Sequence, residues 1–124
     1  MSHLLVIDDD PIILQMCKMY FASKGHEVTV ARDGKEGLKK WRSGSYDLVI
    51  TDLMMPDVHG FAVIDEIKLS EKGAFTPVLL LTADKDDPDL KKYERRRHQD
   101  DTLAKPFDIP VLEKKINALL EGAG

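Results

Sequence analysis

The sequence predicts an α/β fold, a doubly wound (βα)5 arrangement in which five parallel strands alternate with helices. Two observations predict it. Five short apolar runs alternate with longer amphipathic stretches along the 124 residues. Runs such as LLVID, LVIT and VLLLT are apolar almost throughout, the pattern of parallel strands covered on both faces.

The first strand reads as Leu4–Asp8. Pro11 to about Lys24 reads as a helix, with Ile13, Met16, Cys17 and Tyr20 recurring at i, i+3, i+4 and i+7, and Gly25 stops it. Glu27–Ala31 is β-branched and extended. Gly34–Arg42 is a helix with Leu38 and Trp41 on its apolar edge, weakened by the interior Gly37 by about 1 kcal/mol relative to Ala. Trp41 in this setting is a packing residue rather than a ligand platform. Asp47–Asp52 is the third strand, followed by a loop with Pro56 and Gly60. Phe61–Leu69 is a helix offering Val63, Ile64 and Ile67 for burial. Pro77–Thr82 is the fourth strand, Asp89–Arg97 a helix, Thr102–Ala104 a short fifth strand, and Pro110–Leu120 a closing helix with Leu112, Ile116, Leu119 and Leu120 apolar. A flavodoxin-like strand order, 2-1-3-4-5, would bring the ends of strands 1 and 3 side by side at the switch point, where such sheets place their sites.

Composition bounds the rest. The length suits one domain, expected over residues 1–124 without a linker to a second. A formal net charge of −4 argues against direct nucleic-acid binding, since phosphate binders carry a basic excess. No apolar run is long enough to cross a bilayer, and the N-terminus lacks the basic segment of a signal peptide. Cys17 is the single cysteine, so no internal disulfide can form, and its apolar setting marks a buried small hydrophobe. The expected location is cytoplasmic.

The chemistry lies at the strand ends. Strand 1 ends in Asp8-Asp9-Asp10, strand 3 in Asp52, strand 4 in Thr82-Ala83 and strand 5 in Lys105-Pro106. A parallel sheet puts all of these on one edge. Taken singly, each has an ordinary explanation. Asp10 before Pro11 reads as a helix N-cap with proline at N1, and an acidic triplet or a Lys-Pro turn is commonplace. Together they describe a cleft of carboxylates, a hydroxyl and an ammonium. Clustered carboxylates must protonate or share a cation, and a site with two or three protein oxygens suits Mg2+ better than Ca2+. A carboxylate can attack a phosphoryl group to form an acyl phosphate, with cations and donors offsetting charge on the phosphoryl oxygens.

The segments LLVIDDDP, DLVITDLMMPDVHGF, PVLLLTA and LAKPF, spanning Leu4 to Phe107, resemble the four signature segments of response-regulator receiver domains. The resemblance implies that Asp52 is the phosphoacceptor. It implies that Asp9, Asp52 and the backbone carbonyl of Met54 bind Mg2+ directly, with Asp8 acting through water. Thr82 would be the switch hydroxyl, Lys105 the ammonium contacting the phosphoryl group, and the Lys105–Pro106 bond cis. The donor would be a sensor histidine kinase, a histidine phosphotransfer protein or a small acyl phosphate. The output would be an effector protein of unknown identity, and the domain a monomer or a weak, phosphorylation-dependent dimer. Its only enzymatic activity would be its own phosphorylation and dephosphorylation.

The chain departs from that pattern in places. Thr102 stands where receivers carry Tyr or Phe, and Thr cannot fill the space of a turning ring. The basic stretch Lys91–His98 leaves only Leu90 and Tyr93 as apolar anchors, so the helix over Asp89–Arg97 is expected to be poorly anchored or short. Its charge reads first as a solvated face and second as a docking site for an acidic partner. Met54 and Asp84, two residues past Asp52 and Thr82, occupy positions that influence hydrolysis of the phosphoryl group in the family. The four histidines form no metal-spaced pair, and His59 is expected in an exposed loop.

Two other functions compete. One is a protein-binding module of this fold without regulated phosphorylation, which Thr102 favours and the intact acidic set opposes. The other is a phosphohydrolase of the haloacid-dehalogenase type, which needs a second Asp where this chain has Met54.

Overall fold

The computed structural model describes residues 2–83, 88 and 100–123. Five parallel strands form one sheet in the order β2-β1-β3-β4-β5. They are β1 (His3–Ile7), β2 (Glu27–Ala31), β3 (Leu48–Asp52), β4 (Val78–Thr82) and β5 (Asp101–Ala104). The helices are α1 (Pro11–Ser23), α2 (Gly34–Ser43), α3 (Gly60–Leu69) and α4 (Ile109–Ala123). The architecture is the expected one, with ends displaced by a few residues. Asp8, read as the last residue of the first strand, falls just beyond β1. The helix expected over Asp89–Arg97 lies outside the described residues, as does Asp84.

The core has two layers because strand side chains alternate between faces. Leu4 and Val6 of β1, Leu48 and Ile50 of β3, and Leu79 and Leu81 of β4 meet Leu14, Cys17 and Phe21 of α1 and Leu112 and Ile116 of α4. Leu5, Ile7, Val49, Val78 and Leu80 meet Leu38 and Trp41 of α2 and Val63, Ile64 and Ile67 of α3. The uninterrupted apolar strands of the sequence follow from this double cover. Burial pushes the Cys17 thiol up to about 12, so it behaves as a small apolar side chain.

The buried stripe of α1 is turned from the expected one. Leu14, Cys17 and Phe21 are the buried residues, while Ile13, Met16 and Tyr20 pack only partly. Tyr20 instead donates its hydroxyl proton to Glu113 of α4 at 2.8 Å, tying the two helices of that layer together. Gly25, at φ 91°, supplies the left-handed residue that ends α1.

Trp41 is a packing residue, 2% exposed. Lys72 stands 4.6 Å from its ring centroid and donates to the backbone carbonyls of Trp41 and Gly44, capping the C-terminal end of α2. Gly37 has a reason that helix propensity does not show. A Cβ there would lie 2.4 Å from Ile7 Cδ1 and 2.7 Å from Ile7 Cγ1, so α2 can approach β1 this closely only without a side chain. Gly37→Ala should therefore lower stability by about 1–3 kcal/mol, although the same change in an exposed helix interior raises it by about 1 kcal/mol. Urea denaturation checks this, and a more stable variant would contradict the packing argument.

Candidate functional site

Parallel register brings the first two carboxylates together. Ile7 of β1 pairs with Thr51 of β3, so the next residues, Asp8 and Asp52, stand beside each other at the sheet edge. Asp8 keeps the parity of Leu4 and Val6, and Asp52 that of Leu48 and Ile50, which directs both to the same side of the sheet. Asp8 is fully buried and Asp52 is 6% exposed, whereas Asp9 is exposed. One carboxylate oxygen from each of the three lies within 4.8 Å of the others.

Lys105 enters from the far edge. Two inter-strand spacings, roughly 9–10 Å, separate β5 from β3, a gap that suits a long unbranched side chain. Its backbone N–H donates to the Thr82 carbonyl at 2.8 Å, and its bond to Pro106 is cis. Its Nζ lies 2.9 Å from Asp8 Oδ2 and 3.4 Å from Asp52 Oδ1. The acidic triplet divides its work. Asp8 Oδ1 accepts the Asp10 N–H at 2.9 Å, and Asp10 Oδ1 accepts the Ile12 N–H at 2.9 Å as the N-cap of α1. Asp9 completes the cluster.

Burial and neighbouring charge shift Asp8, Asp52 and Lys105. Burial, the charge of Asp8 and a hydrogen bond with Asp9 push Asp52 up to about 6 against the pull of Lys105. Burial also raises Asp8, opposed by the Asp10 N–H and Lys105. Burial disfavours the Lys105 ammonium, but Asp8 and Asp52 outweigh it and hold its pKa above the usual lysine value.

The donor set fits a hard cation. Every candidate ligand atom in the cluster is an oxygen. Asp8 Oδ2 is fully buried and has the Lys105 ammonium as an ion-pair partner, yet no well-aligned hydrogen bond reaches it. It retains capacity for a cation-bound water.

The remaining expected residues lie on β4, β5 and the loop that follows β3. Thr82 ends β4 at 1% exposure, one position beyond Leu81, which pairs with Asp52. Met54 lies in the loop between β3 and α3 and is 63% exposed. That loop is held where it leaves the sheet. The Leu53 N–H donates to the Leu81 carbonyl at 2.9 Å, and the Gly60 N–H to the Leu53 carbonyl at 2.8 Å. A Cβ on Gly60 would fall 2.4 Å from the Asp52 carbonyl oxygen, so only glycine permits this return. His59 is exposed, and its Nδ1 accepts the Phe61 N–H at 3.3 Å as the N-cap of α3. Thr102 lies on β5 beside Leu80, half-buried.

Two features had no sequence signal of their own. Asp57, in the same loop, caps α2 from a distance: it accepts the Gly34 N–H at 3.2 Å and the Lys35 N–H at 2.9 Å. An apolar groove of about 470 Å3, lined by Ile12, Ile13, Met16 and Phe107, opens beside Lys105.

An acidic pocket at the switch point of a 2-1-3-4-5 sheet, with a lysine aimed into it, defines a phosphoacceptor signalling domain rather than an enzyme with a substrate turnover of its own. Residues 4–117 match the response regulator receiver domain, and the chain belongs to that family of two-component signalling domains. It is 40% identical over 124 residues to the transcriptional regulatory protein CiaR of Streptococcus pneumoniae, covering 100% of this chain and 54% of that one. It is 35% identical over 120 residues to the response regulator SaeR of Staphylococcus aureus, covering 97% of this chain and 51% of the other. The chain thus spans about half the length of these curated relatives. Among solved structures, the Francisella response regulator 1452 receiver domain superposes with a TM-score of 0.86 at 34% identity, covering 100% of both chains. The response regulator protein TrrA of Thermotoga maritima, in complex with Mg(2+)-BeF, superposes with a TM-score of 0.81 at 36% identity, covering 96% of this chain and 99% of that one. The three-acid cluster is of the type that receivers use for Mg2+. Among the described residues, no helix is long and apolar enough to cross a membrane.

The raised Asp52 has a consequence for stability. Its pKa is about 6 in the folded chain against an ordinary 3.8, so the folded state binds that proton more tightly. In metal-free protein this contribution weakens stability as pH rises from about 4 to about 6, and the full cost persists above that range. Asp52→Asn removes it. The variant should be about 1–3 kcal/mol more stable than wild type in chelator near neutral pH, a gain that fades towards about pH 4. Denaturation at the two pH values checks this, and an equal gain at both would contradict it.

Proposed function

We propose that this domain accepts a phosphoryl group on Asp52 from a phosphohistidine donor and thereby switches a protein-interaction surface. One observation carries the reading: a buried carboxylate with two more acids within 4.8 Å and an ammonium 3.4 Å away. At about 6, the Asp52 pKa leaves it mostly ionised near neutral pH and able to act as the nucleophile. Its oxygen would attack phosphorus as the phosphorus–nitrogen bond breaks, the electron pair staying on a donor ring whose other nitrogen carries a proton, which leaves an acyl phosphate on Asp52 and a neutral imidazole on the donor.

Asp9, Asp52 and the Met54 carbonyl would hold Mg2+ directly, and Asp8 through water. The ion supplies positive charge against the phosphoryl oxygens. Lys105 would exchange part of its contact with Asp8 and Asp52 for a phosphoryl oxygen. The Thr82 hydroxyl and the Ala83 N–H would donate to the others. The added charge, roughly −1.5 to −2, would draw Thr82 towards the site and bias the surface around it. The Mg(2+)-BeF complex of the Thermotoga maritima relative supports a metal-dependent site.

The groove beside Lys105 is the natural seat for the donor. Ile12, which lines the groove, is 74% exposed, and Met19, two turns further along α1 on the same face, is 66% exposed, so an apolar strip runs from the groove down the helix. A helix presenting phosphohistidine, from a sensor kinase or a histidine phosphotransfer protein, would cover that strip. The downstream partner is an effector protein. The domain would span residues 1–124 and act in the cytoplasm, as a monomer or a weak phosphorylation-dependent dimer without direct contact to nucleic acid.

Incubation with Mg2+ and acetyl phosphate, followed by intact-mass measurement, should show a single phosphoryl adduct. The adduct should disappear with Asp52→Asn and with chelator, and Thr82→Ala and Lys105→Ala should lower its yield. An adduct surviving Asp52→Asn, or none from any phosphorylated donor, would refute the reading. Met54, exposed and apolar, is a poor orienter of attacking water, so Met54→Asn should shorten the lifetime of the phosphoryl group. A longer lifetime would count against that role.

A further inference from the structure

The loop that carries Met54 is fastened at a third point that has nothing to do with the sheet. The first turn of α2 exposes backbone N–H groups that need acceptors. Asp33 satisfies one, accepting the Glu36 N–H at 2.7 Å as the local N-cap. The two before it, on Gly34 and Lys35, go to Asp57, one to each carboxylate oxygen, at 3.2 and 2.9 Å. Asp57 stands 23 residues from Gly34 in sequence, so this cap joins two separate elements. The contact is close along its length. A Cβ on Gly34 would fall 2.7 Å from Val58 Cβ, so the glycine is what lets the loop lie against the helix.

The loop is therefore held on both sides of Met54. Leu53 is bonded to β4 before it, and Asp57 to α2 after it. Only Met54, Met55 and Pro56 lie between the two anchors. A short segment tied at both ends keeps its backbone carbonyls where the fold puts them.

We propose that Asp57 is a positioning residue for the phosphoacceptor site, clamping the β3–α3 loop to the N-terminus of α2 so that the Met54 carbonyl is preset for Mg2+. The inference rests on the metal-dependent reading above and adds a residue that touches neither metal nor phosphoryl group. Its effect should appear as metal affinity in the unphosphorylated protein.

The test measures Mg2+ affinity by calorimetry and thermal unfolding for wild type, Asp57→Ala, Asp57→Asn and Asp33→Ala. Asp57→Ala should weaken Mg2+ binding by roughly tenfold, in line with the loss of a contact that orients a ligand. Asp57→Asn loses the same charge but keeps one of the two acceptor oxygens, so it should weaken binding clearly less than alanine does, and it serves if the alanine variant fails to fold. Asp33→Ala removes the other cap of the same helix, so it should lower the unfolding temperature while leaving Mg2+ affinity near wild type. Wild-type affinity in Asp57→Ala would overturn the clamp. Equal weakening in the alanine and asparagine variants would assign the effect to charge, and equal weakening in Asp33→Ala to a loosened helix, and either overturns it. A wild-type protein that binds no Mg2+ would instead remove the reading on which the clamp rests.

Discussion

Asp8 and Asp52 are forced together by the register of β1 and β3, and the site is built around their repulsion. Two carboxylates side by side with little water cannot both ionise without compensation. Lys105 supplies part of it from across the sheet, at 2.9 Å from Asp8 and 3.4 Å from Asp52. The Asp10 N–H supplies more to Asp8. What remains is visible in Asp52, held at about 6. That residual makes the pocket receptive to a cation.

Such an arrangement needs a support that does not relax. The two apolar layers provide it, since strands buried on both faces cannot slide without taking every side chain out of register. The close approaches serve the same end. Gly37 lets α2 sit on β1, and Gly60 lets α3 begin against the Asp52 carbonyl. Lys72 closes the far end of α2, and the Asp33 and Asp57 carboxylates close its start. The chemistry lies at the strand ends and in short loops anchored on both sides, as in other open α/β sheets with sites at the switch point.

Much of this was legible in the chain. Continuous apolar runs announced covered parallel strands, and the residues ending those runs named the acidic pocket and Lys105 before any coordinate was needed. Asp10 before Pro11 carried a complete local cap signal, and the structure places that cap. Other elements were misread or unseen because their causes are not local. The apolar positions of α1 fit two adjacent stripes. The one through Leu14, Cys17 and Phe21 is buried because it faces the apolar side chains of β1, β3 and β4, and Tyr20, left at its edge, bonds to Glu113 of α4. Gly37 looked like a weakness in a helix, because its neighbour Ile7 stands 30 positions earlier in the sequence. Asp57 carried no signal of its own, because the N–H groups it caps stand 22 and 23 positions earlier in the sequence.

The sequence alone determined the alternation of elements, the double cover of the sheet and which side chains lie at its functional edge. Each of these follows from period and order along the chain, which the fold inherits directly. The tertiary structure alone decided distances: how near Asp52 lies to Asp8 and Lys105, how far its pKa rises, which face of α1 is buried and which carboxylate caps α2. Those quantities depend on contacts between residues far apart in sequence, where an ångström changes a Coulomb energy or admits a methyl group, and no local pattern records them.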